Sequence, residues 1–112
     1  MTEKKQSIEA TCPECRGPLS EIRIENENPE YRCLVGHRYS ARSLLEEHAE
    51  AQERVLWSAV VALEESTSLV NAVGAQFAPE VADRLRKQAA LKHQQAAEIR
   101  RVLEGLERFA IG

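Results

Sequence analysis

Cys12-Pro-Glu-Cys15 and Cys33-Leu-Val-Gly-His37 are the two stretches that decide the fold of the first third of this 112-residue chain. Their spacing, C-x2-C-x17-C-x3-H, places two close pairs of thiol and imidazole donors on either side of a short segment. A tetrahedral zinc ion takes four such donors, and each pair can span one edge of the tetrahedron from a tight turn. The pattern therefore predicts a closed zinc site whose ligands are Cys12, Cys15, Cys33 and His37.

Other interpretations of the cysteines are weaker. A redox pair at Cys12 and Cys15 would open a helix, and the segment 16–18, Arg-Gly-Pro, would break that helix at once. A disulfide framework needs an even number of cysteines, and this chain has three. A Cys2His2 finger would need a second histidine three to five residues after the first. The first residues carry no apolar secretory segment, so we expect reduced thiols and a cytoplasmic protein.

A catalytic zinc site would have three protein ligands and a water molecule. His37 supplies the fourth ligand, so we expect no catalytic residues and no small-molecule substrate. His48 is the nearest alternative donor, and the better spacing of His37 favours His37. We expect His48 and His93 to be ordinary histidines on helix faces.

The N-terminal part of the chain reads as a flexible lead-in over residues 1–10 and a zinc ribbon over residues 11–40. Ile22 and Ile24 alternate with charged residues, which is typical of a strand. The segment 25–29 contains Asn26, Asn28 and Pro29 and predicts a hairpin turn. Residues 31–33 then return as the partner strand and bring the second ligand pair beside the first. Such a small segment rarely folds unaided, so the metal would supply much of its stability.

Residues 41–112 have the pattern of two long helices. Ser40 is a good N-cap, and the sequence Ala78-Pro79 forces a break between the helices. Residues in steps of three and four predict one apolar seam on each helix. The first seam contains Leu56, Ala59, Leu63, Ser66, Val70, Val73 and Phe77. The second contains Leu85, Ala89, Lys92, Ala96, Ile99, Leu103, Leu106 and Ala110.

The predicted fold is an α protein with a small β zinc ribbon: an N-terminal zinc ribbon followed by a long antiparallel helical hairpin. Counting equal rises from the turn places residue 56 opposite about residue 100. Trp57, Val60 and Val61 lie outside the first seam, so another surface must cover them. The ribbon or a second copy could do so, and we favour a homodimer that completes a four-helix bundle.

Charge is spread unevenly along the chain, whose formal net charge is −3. Residues 1–40 carry six Lys and Arg against seven Asp and Glu, so the ribbon is not basic. A ribbon that grips phosphate is normally basic, which makes nucleic acid an unlikely partner. No apolar run approaches the 18 residues of a membrane span.

The ribbon and the first helix together resemble a known bacterial module. The matching stretches are Cys12-Pro-Glu-Cys-Arg-Gly-Pro-Leu, Tyr31-Arg-Cys-Leu-Val-Gly-His-Arg-Tyr-Ser, Ser43-Leu-Leu and Trp57. They are similar to the zinc ribbon and helical tail at the C-terminus of some bacterial chemotaxis protein-glutamate methylesterase homologues. The resemblance covers residues 11 to about 65 and implies zinc-ligand roles for the same four residues. It does not carry over catalysis, because the chain has no G-x-S-x-G elbow.

Two functions from different classes follow. The first is a non-enzymatic interaction module, an accessory in bacterial signalling or regulation, that binds a signalling protein or a second copy through the helical hairpin. The second is a nucleic-acid-binding transcriptional regulator, for which five helix-two cations could contact phosphate. These cations are Arg84, Arg86, Lys87, Arg100 and Arg101. Acidic residues such as Asp83 and Glu98 dilute them, so the first function is favoured.

Overall fold

The computed structural model describes residues 2–112, and it begins with a four-stranded antiparallel sheet. The strands follow one another in chain order, so each one pairs with the next. Their bounds are β1 Glu3–Thr11, β2 Pro18–Ile24, β3 Glu30–Cys33 and β4 Arg38–Tyr39. The predicted hairpin of residues 22–33 is confirmed as β2 and β3, with Ile22 opposite Glu30.

The prediction of a flexible lead-in over residues 1–10 is wrong for residues 3–10, which belong to β1. This strand pairs with β2 from Glu3 opposite Ile24 to Ile8 opposite Leu19. Nearly all of its side chains are exposed, so its sequence shows no apolar alternation. Pairing with β2 satisfies the backbone polar groups on one edge of β1, and this orders a segment whose local sequence does not predict a strand.

The core of the sheet region is small and contains two of the cysteines. Cys12, Leu19, Cys33 and Tyr39 form one buried cluster. The half-buried side chains Ile8, Tyr31 and Leu44 pack against it. Little apolar area is buried here, so hydrophobic burial alone offers a thin basis for stability.

Two long helices follow the sheet, and together they hold more than half of the chain. Helix α1 spans Ala41–Val73 with 33 residues, and α2 spans Pro79–Glu104 with 26 residues. Ser40 caps α1 as predicted, because its hydroxyl accepts a hydrogen bond from the Ser43 N–H at 3.0 Å. A 3-10 turn over Gly74–Gln76 and the start of α2 at Pro79 confirm the predicted break.

The second helix is shorter than its sequence pattern predicts. Leu106 and Ala110 belong to the predicted seam but lie beyond the end of α2. The N–H of Gly105 bonds to the Arg101 carbonyl at 3.2 Å and closes the last turn. Glycine is a poor helix former and a common terminator, which explains why the helix stops there.

Burial corrects two assignments in the hairpin. Val60, placed outside the first seam by its sequence spacing, is fully buried. Lys92, placed inside the second seam, is exposed. The buried residues of α2 are instead three alanines at intervals of seven: Ala82, Ala89 and Ala96. Small side chains at this spacing let two helices approach closely along one stripe.

Contacts divide the chain into two compact units. One comprises the residues up to Gln52 together with Arg108–Gly112, and the other comprises Glu53–Glu107. In the first unit, Arg42 donates a hydrogen bond to the Ile111 carbonyl at 3.1 Å. Within the described residues, neither helix has the length and apolar content needed to cross a membrane.

Candidate metal centre

The first donor pair lies in the turn between β1 and β2. The Cys12 N–H donates to the Gly17 carbonyl at 2.7 Å, and the Arg16 N–H donates to the Cys12 carbonyl at 2.9 Å. Arg16 carries the left-handed backbone conformation of this turn, with φ of 64°. Gly17 has a different role: a Cβ there would lie 3.3 Å from Cys15 Sγ. Glycine therefore lets the chain pass close to the sulfur.

The second donor pair lies in the turn between β3 and β4. The Cys33 N–H donates to the His37 carbonyl at 3.1 Å, and the Gly36 N–H donates to the Cys33 carbonyl at 3.2 Å. Gly36 has φ of 103°, which side-chain-bearing residues rarely adopt. Strand pairing of Leu19 with Cys33 then brings the two turns to the same end of the sheet.

The four predicted donors come together as one cluster. Their ligand atoms all lie within 4.8 Å of one another, which is compatible with a metal site. His37 Nδ1 lies 3.5 Å from Cys12 Sγ and 3.2 Å from Cys33 Sγ. Cys15 Sγ lies 3.7 Å from Cys33 Sγ. Cys12 and Cys33 are buried, whereas Cys15 is exposed and His37 is half-buried.

Hydrogen bonds prepare two of the thiols for the thiolate form. Burial by itself raises the pKa of Cys12, but the Tyr39 hydroxyl and two backbone amides outweigh it and hold that pKa below its ordinary value. Burial is likewise outweighed at Cys33, whose pKa is lowered by backbone N–H groups of its turn, including that of His37 at 3.3 Å. At Cys15 a backbone hydrogen bond at Gly17 lowers the pKa, but partial desolvation and the sulfurs of Cys12 and Cys33 together outweigh it, so the pKa is raised. Thiolates are the metal-binding form of cysteine.

Two residues that the sequence did not single out support the donors. Glu14 Oε2 lies 3.2 Å from His37 Nε2. The Tyr39 hydroxyl lies 3.0 Å from Glu14 Oε1 and 3.1 Å from Cys12 Sγ, so its one proton can be donated to either acceptor. Burial, the sulfur and the carboxylate all raise the pKa of Tyr39, which keeps its hydroxyl protonated. A carboxylate that holds the far nitrogen of a ligating imidazole is a common outer partner at metal sites.

Local signals for these partners were present but ambiguous. Glu14 lies inside the first cysteine pair, and Tyr39 lies two residues after His37. Spacing alone does not say which way either side chain points. The alternative donor His48 lies on α1 and His93 lies on α2, and neither is a member of the cluster.

Comparison of the chain with protein-family models, with curated proteins and with solved structures finds no significant match.

Proposed function

We propose that this chain is a non-enzymatic, zinc-stabilised protein-interaction module, an accessory in bacterial signalling or regulation. Zinc bound by Cys12, Cys15, Cys33 and His37 fixes the sheet as a zinc ribbon, and exposed apolar side chains receive a protein partner. The single observation that carries the proposal is the convergence of three thiols and one imidazole on one small volume. The assignment to bacterial signalling rests on the resemblance of the ribbon and first helix to methylesterase tails.

The donor distances support zinc as the metal. Zinc binds sulfur at about 2.3 Å and nitrogen at about 2.0 Å, so a tetrahedral site has S–S edges of about 3.8 Å and S–N edges of about 3.6 Å. The Cys15–Cys33 sulfur separation is 3.7 Å. The His37 Nδ1 distances to the sulfurs of Cys12 and Cys33 are 3.5 and 3.2 Å. Three of the six edges thus already lie near their zinc-bound lengths.

A site with four protein donors supports a structural role for the ion. Catalytic zinc keeps an open position for water or substrate, and four protein ligands fill a tetrahedron. The chemistry that zinc supplies here is a cross-link between the two turns. That link would join β1 and β2 to β3 and β4 around a core that is otherwise small.

Exposed apolar side chains support binding to protein. Leu34 and Val35 form the tip of the second turn, and each is 76% exposed. On α1, Trp57 is 47% exposed and Val61 is 53% exposed. Exposed apolar groups that cluster at one place are typical of interaction sites.

The cations of α2 support protein over nucleic acid as the partner. Arg86 pairs with Asp83 at 2.9 Å, and Arg100 pairs with Glu64 at 2.7 Å. Two of the five candidate phosphate contacts therefore already have carboxylate partners. Pairing of this kind weakens the positive field that steers nucleic acids to a surface.

Native mass spectrometry of protein purified without added zinc tests the proposal. We expect one zinc per chain in the parent protein and in His93→Ala, a matched variant at an exposed histidine outside the cluster. We expect zinc to be largely lost in His37→Ala. A parent protein with well under one zinc per chain would reject the proposal. Salt-sensitive retention of the parent protein on duplex DNA would also reject it.

A further inference from the structure

A shallow groove on α1 is lined by six residues of one helix face, which we call the α1 face. Successive members of this set are three or one positions apart in the sequence, so all six lie on the same side of the helix. Together they combine exposed apolar, small and charged side chains within unit Glu53–Glu107. The α1 face consists of Arg54, Trp57, Ser58, Val61, Ala62 and Glu65.

The α1 face is nearly self-complementary when its direction is reversed. Arg54 and Glu65 lie at equal distances on either side of the midpoint between residues 59 and 60. They are eleven residues apart, about 16 Å along the helix axis, so they cannot pair with each other within one chain. A cation at one end and a carboxylate at the other match the same face of an antiparallel copy.

The two edges of the α1 face also match themselves. Trp57 and Val61 form one edge, and Ser58 and Ala62 form the other. A two-fold axis that lies in the contact plane, perpendicular to both helices, sets each edge against the same edge of the partner. The apolar edges then meet each other, and the small edges let the helix backbones approach closely.

We propose that the α1 face binds the α1 face of a second copy of this chain in an antiparallel, two-fold symmetric pair. Arg54 then faces the partner's Glu65, and this charge pair occurs twice. Trp57 packs against the partner's Val61, and Ser58 lies against the partner's Ala62. The inference rests on the proposed function, because it names a second copy as the partner of the interaction module.

Trp57 is held in position before any partner arrives. The Arg100 guanidinium of α2 lies 5.4 Å from the centroid of the Trp57 ring, a distance suited to a cation–π contact. Arg100 is itself held by Glu64 at 2.7 Å. The indole is thus supported by its own chain while 47% of the residue remains exposed. A preorganised aromatic anchor loses little conformational freedom on binding.

The size of the α1 face sets the expected strength of dimerisation. Six residues from each copy are few beside the roughly 20–30 per side of a standard stable interface. We therefore expect a reversible dimer that is half-formed at roughly 10 to 500 μM protein. The monomer mass is 12.6 kDa, so sedimentation equilibrium resolves the two species.

Charge reversal provides the decisive test. Arg54→Glu and Glu65→Arg should each weaken dimerisation about tenfold or more, because each places like charges opposite one another twice. The double variant Arg54→Glu/Glu65→Arg should restore it to within about threefold of the parent, because both cross-chain pairs re-form with opposite sense. Lys87→Glu, an exposed reversal on α2, is the matched control and should leave dimerisation unchanged. Trp57→Ala should weaken it by about tenfold or more.

A chain that stays monomeric up to about 1 mM, well above the expected range, overturns the inference. So does a dimer that is insensitive to Trp57→Ala, or one that the double reversal fails to restore. Helical content measured by circular dichroism for every variant separates lost contacts from lost folding. Zinc content measured on the same samples separates the two proposals: a monomer with one zinc per chain rejects only the dimer, and a zinc-free dimer rejects only the zinc-stabilised module.

Discussion

Glu14 Oε2 lies 3.2 Å from His37 Nε2, while His37 Nδ1 lies among the cysteine sulfurs. A carboxylate at this position favours the tautomer with its proton on Nε2, which leaves the Nδ1 lone pair available to a metal. Glu14 comes from the first turn and His37 from the second, so this contact also ties the two turns together. Glu14, which is not a member of the donor cluster, thus orients the imidazole of a residue that is.

Replacing Glu14 by Gln should lower zinc affinity about 10- to 100-fold, the usual cost of removing an outer partner of a metal-bound histidine. The amide has the same shape but lacks the charge that favours an Nε2 proton. Competition with a chromogenic chelator measures the affinity. Glu27→Gln, an exposed change in the β2–β3 turn, is the control and should leave zinc affinity unchanged. Equal affinities for the two variants would contradict a positioning role for Glu14.

Replacing Tyr39 by Phe should also weaken zinc binding, because the buried hydroxyl contacts both Cys12 Sγ and Glu14. The ring remains to fill the core, so the loss reports the hydroxyl alone. Because Tyr39 and Glu14 share one network, their effects should be non-additive, with a coupling of about 0.5 to 3 kcal/mol. Tyr31→Phe is the control, since its hydroxyl lies 3.5 Å from Glu21 and outside the donor cluster. Strictly additive losses would show that the two residues act separately.

The donor cluster was predictable because ligand spacing is a local property. Cys12 and Cys15 share one tight turn, and Cys33 and His37 share another, so their positions in the chain already fix most of their geometry. Tyr39 meets Cys12 only through the pairing of four strands. No sequence pattern encodes that meeting, because it depends on how the turns approach each other in three dimensions.

The backbone predictions were likewise correct where local sequence decides the structure and incorrect where contacts between distant segments decide it. Pro79 breaks a helix by its own covalent structure, and the structure places the break there. Strand β1 is ordered by pairing with β2, and its polar sequence does not predict a strand. The sequence spacing put Val60 outside the predicted apolar seam, because the buried surface of α1 is wider than one line of residues spaced three and four positions apart. Gly105 ended α2 although the apolar spacing continued beyond it.

Removing the metal should unfold the sheet and leave the hairpin of residues 53–107 helical. The sheet has a small core centred on the donors, whereas the hairpin has its own buried stripe and no donor residue. After chelation we expect the helical circular dichroism signal to remain largely intact while backbone amides of β1 to β4 exchange rapidly. His37→Ala without chelator should give the same exchange pattern. Continued protection of the sheet amides in metal-free protein would contradict this expectation.

The neighbouring valines of α1 provide a matched test of the hairpin core. Val60 is fully buried, and Val61 is 53% exposed. Val60→Ala should lower the free energy of unfolding by about 1 to 3 kcal/mol, because two buried methyl groups are lost and a cavity remains. Val61→Ala removes the same atoms from an exposed site and should cost about 0.5 kcal/mol or less.

Urea unfolding followed by tryptophan fluorescence compares the two variants within one unit of the molecule. Trp57 is the only tryptophan and lies inside the hairpin, so its signal reports that unit. Measurement at low protein concentration keeps the chain monomeric, which removes any contribution of Val61 to self-association. Val60→Ala should shift the midpoint to lower urea without changing the slope, and Val61→Ala should leave both in place. If Val61→Ala lowered the free energy of unfolding more than Val60→Ala, the buried side of α1 would be the side that carries the α1 face, which would contradict the observed burial.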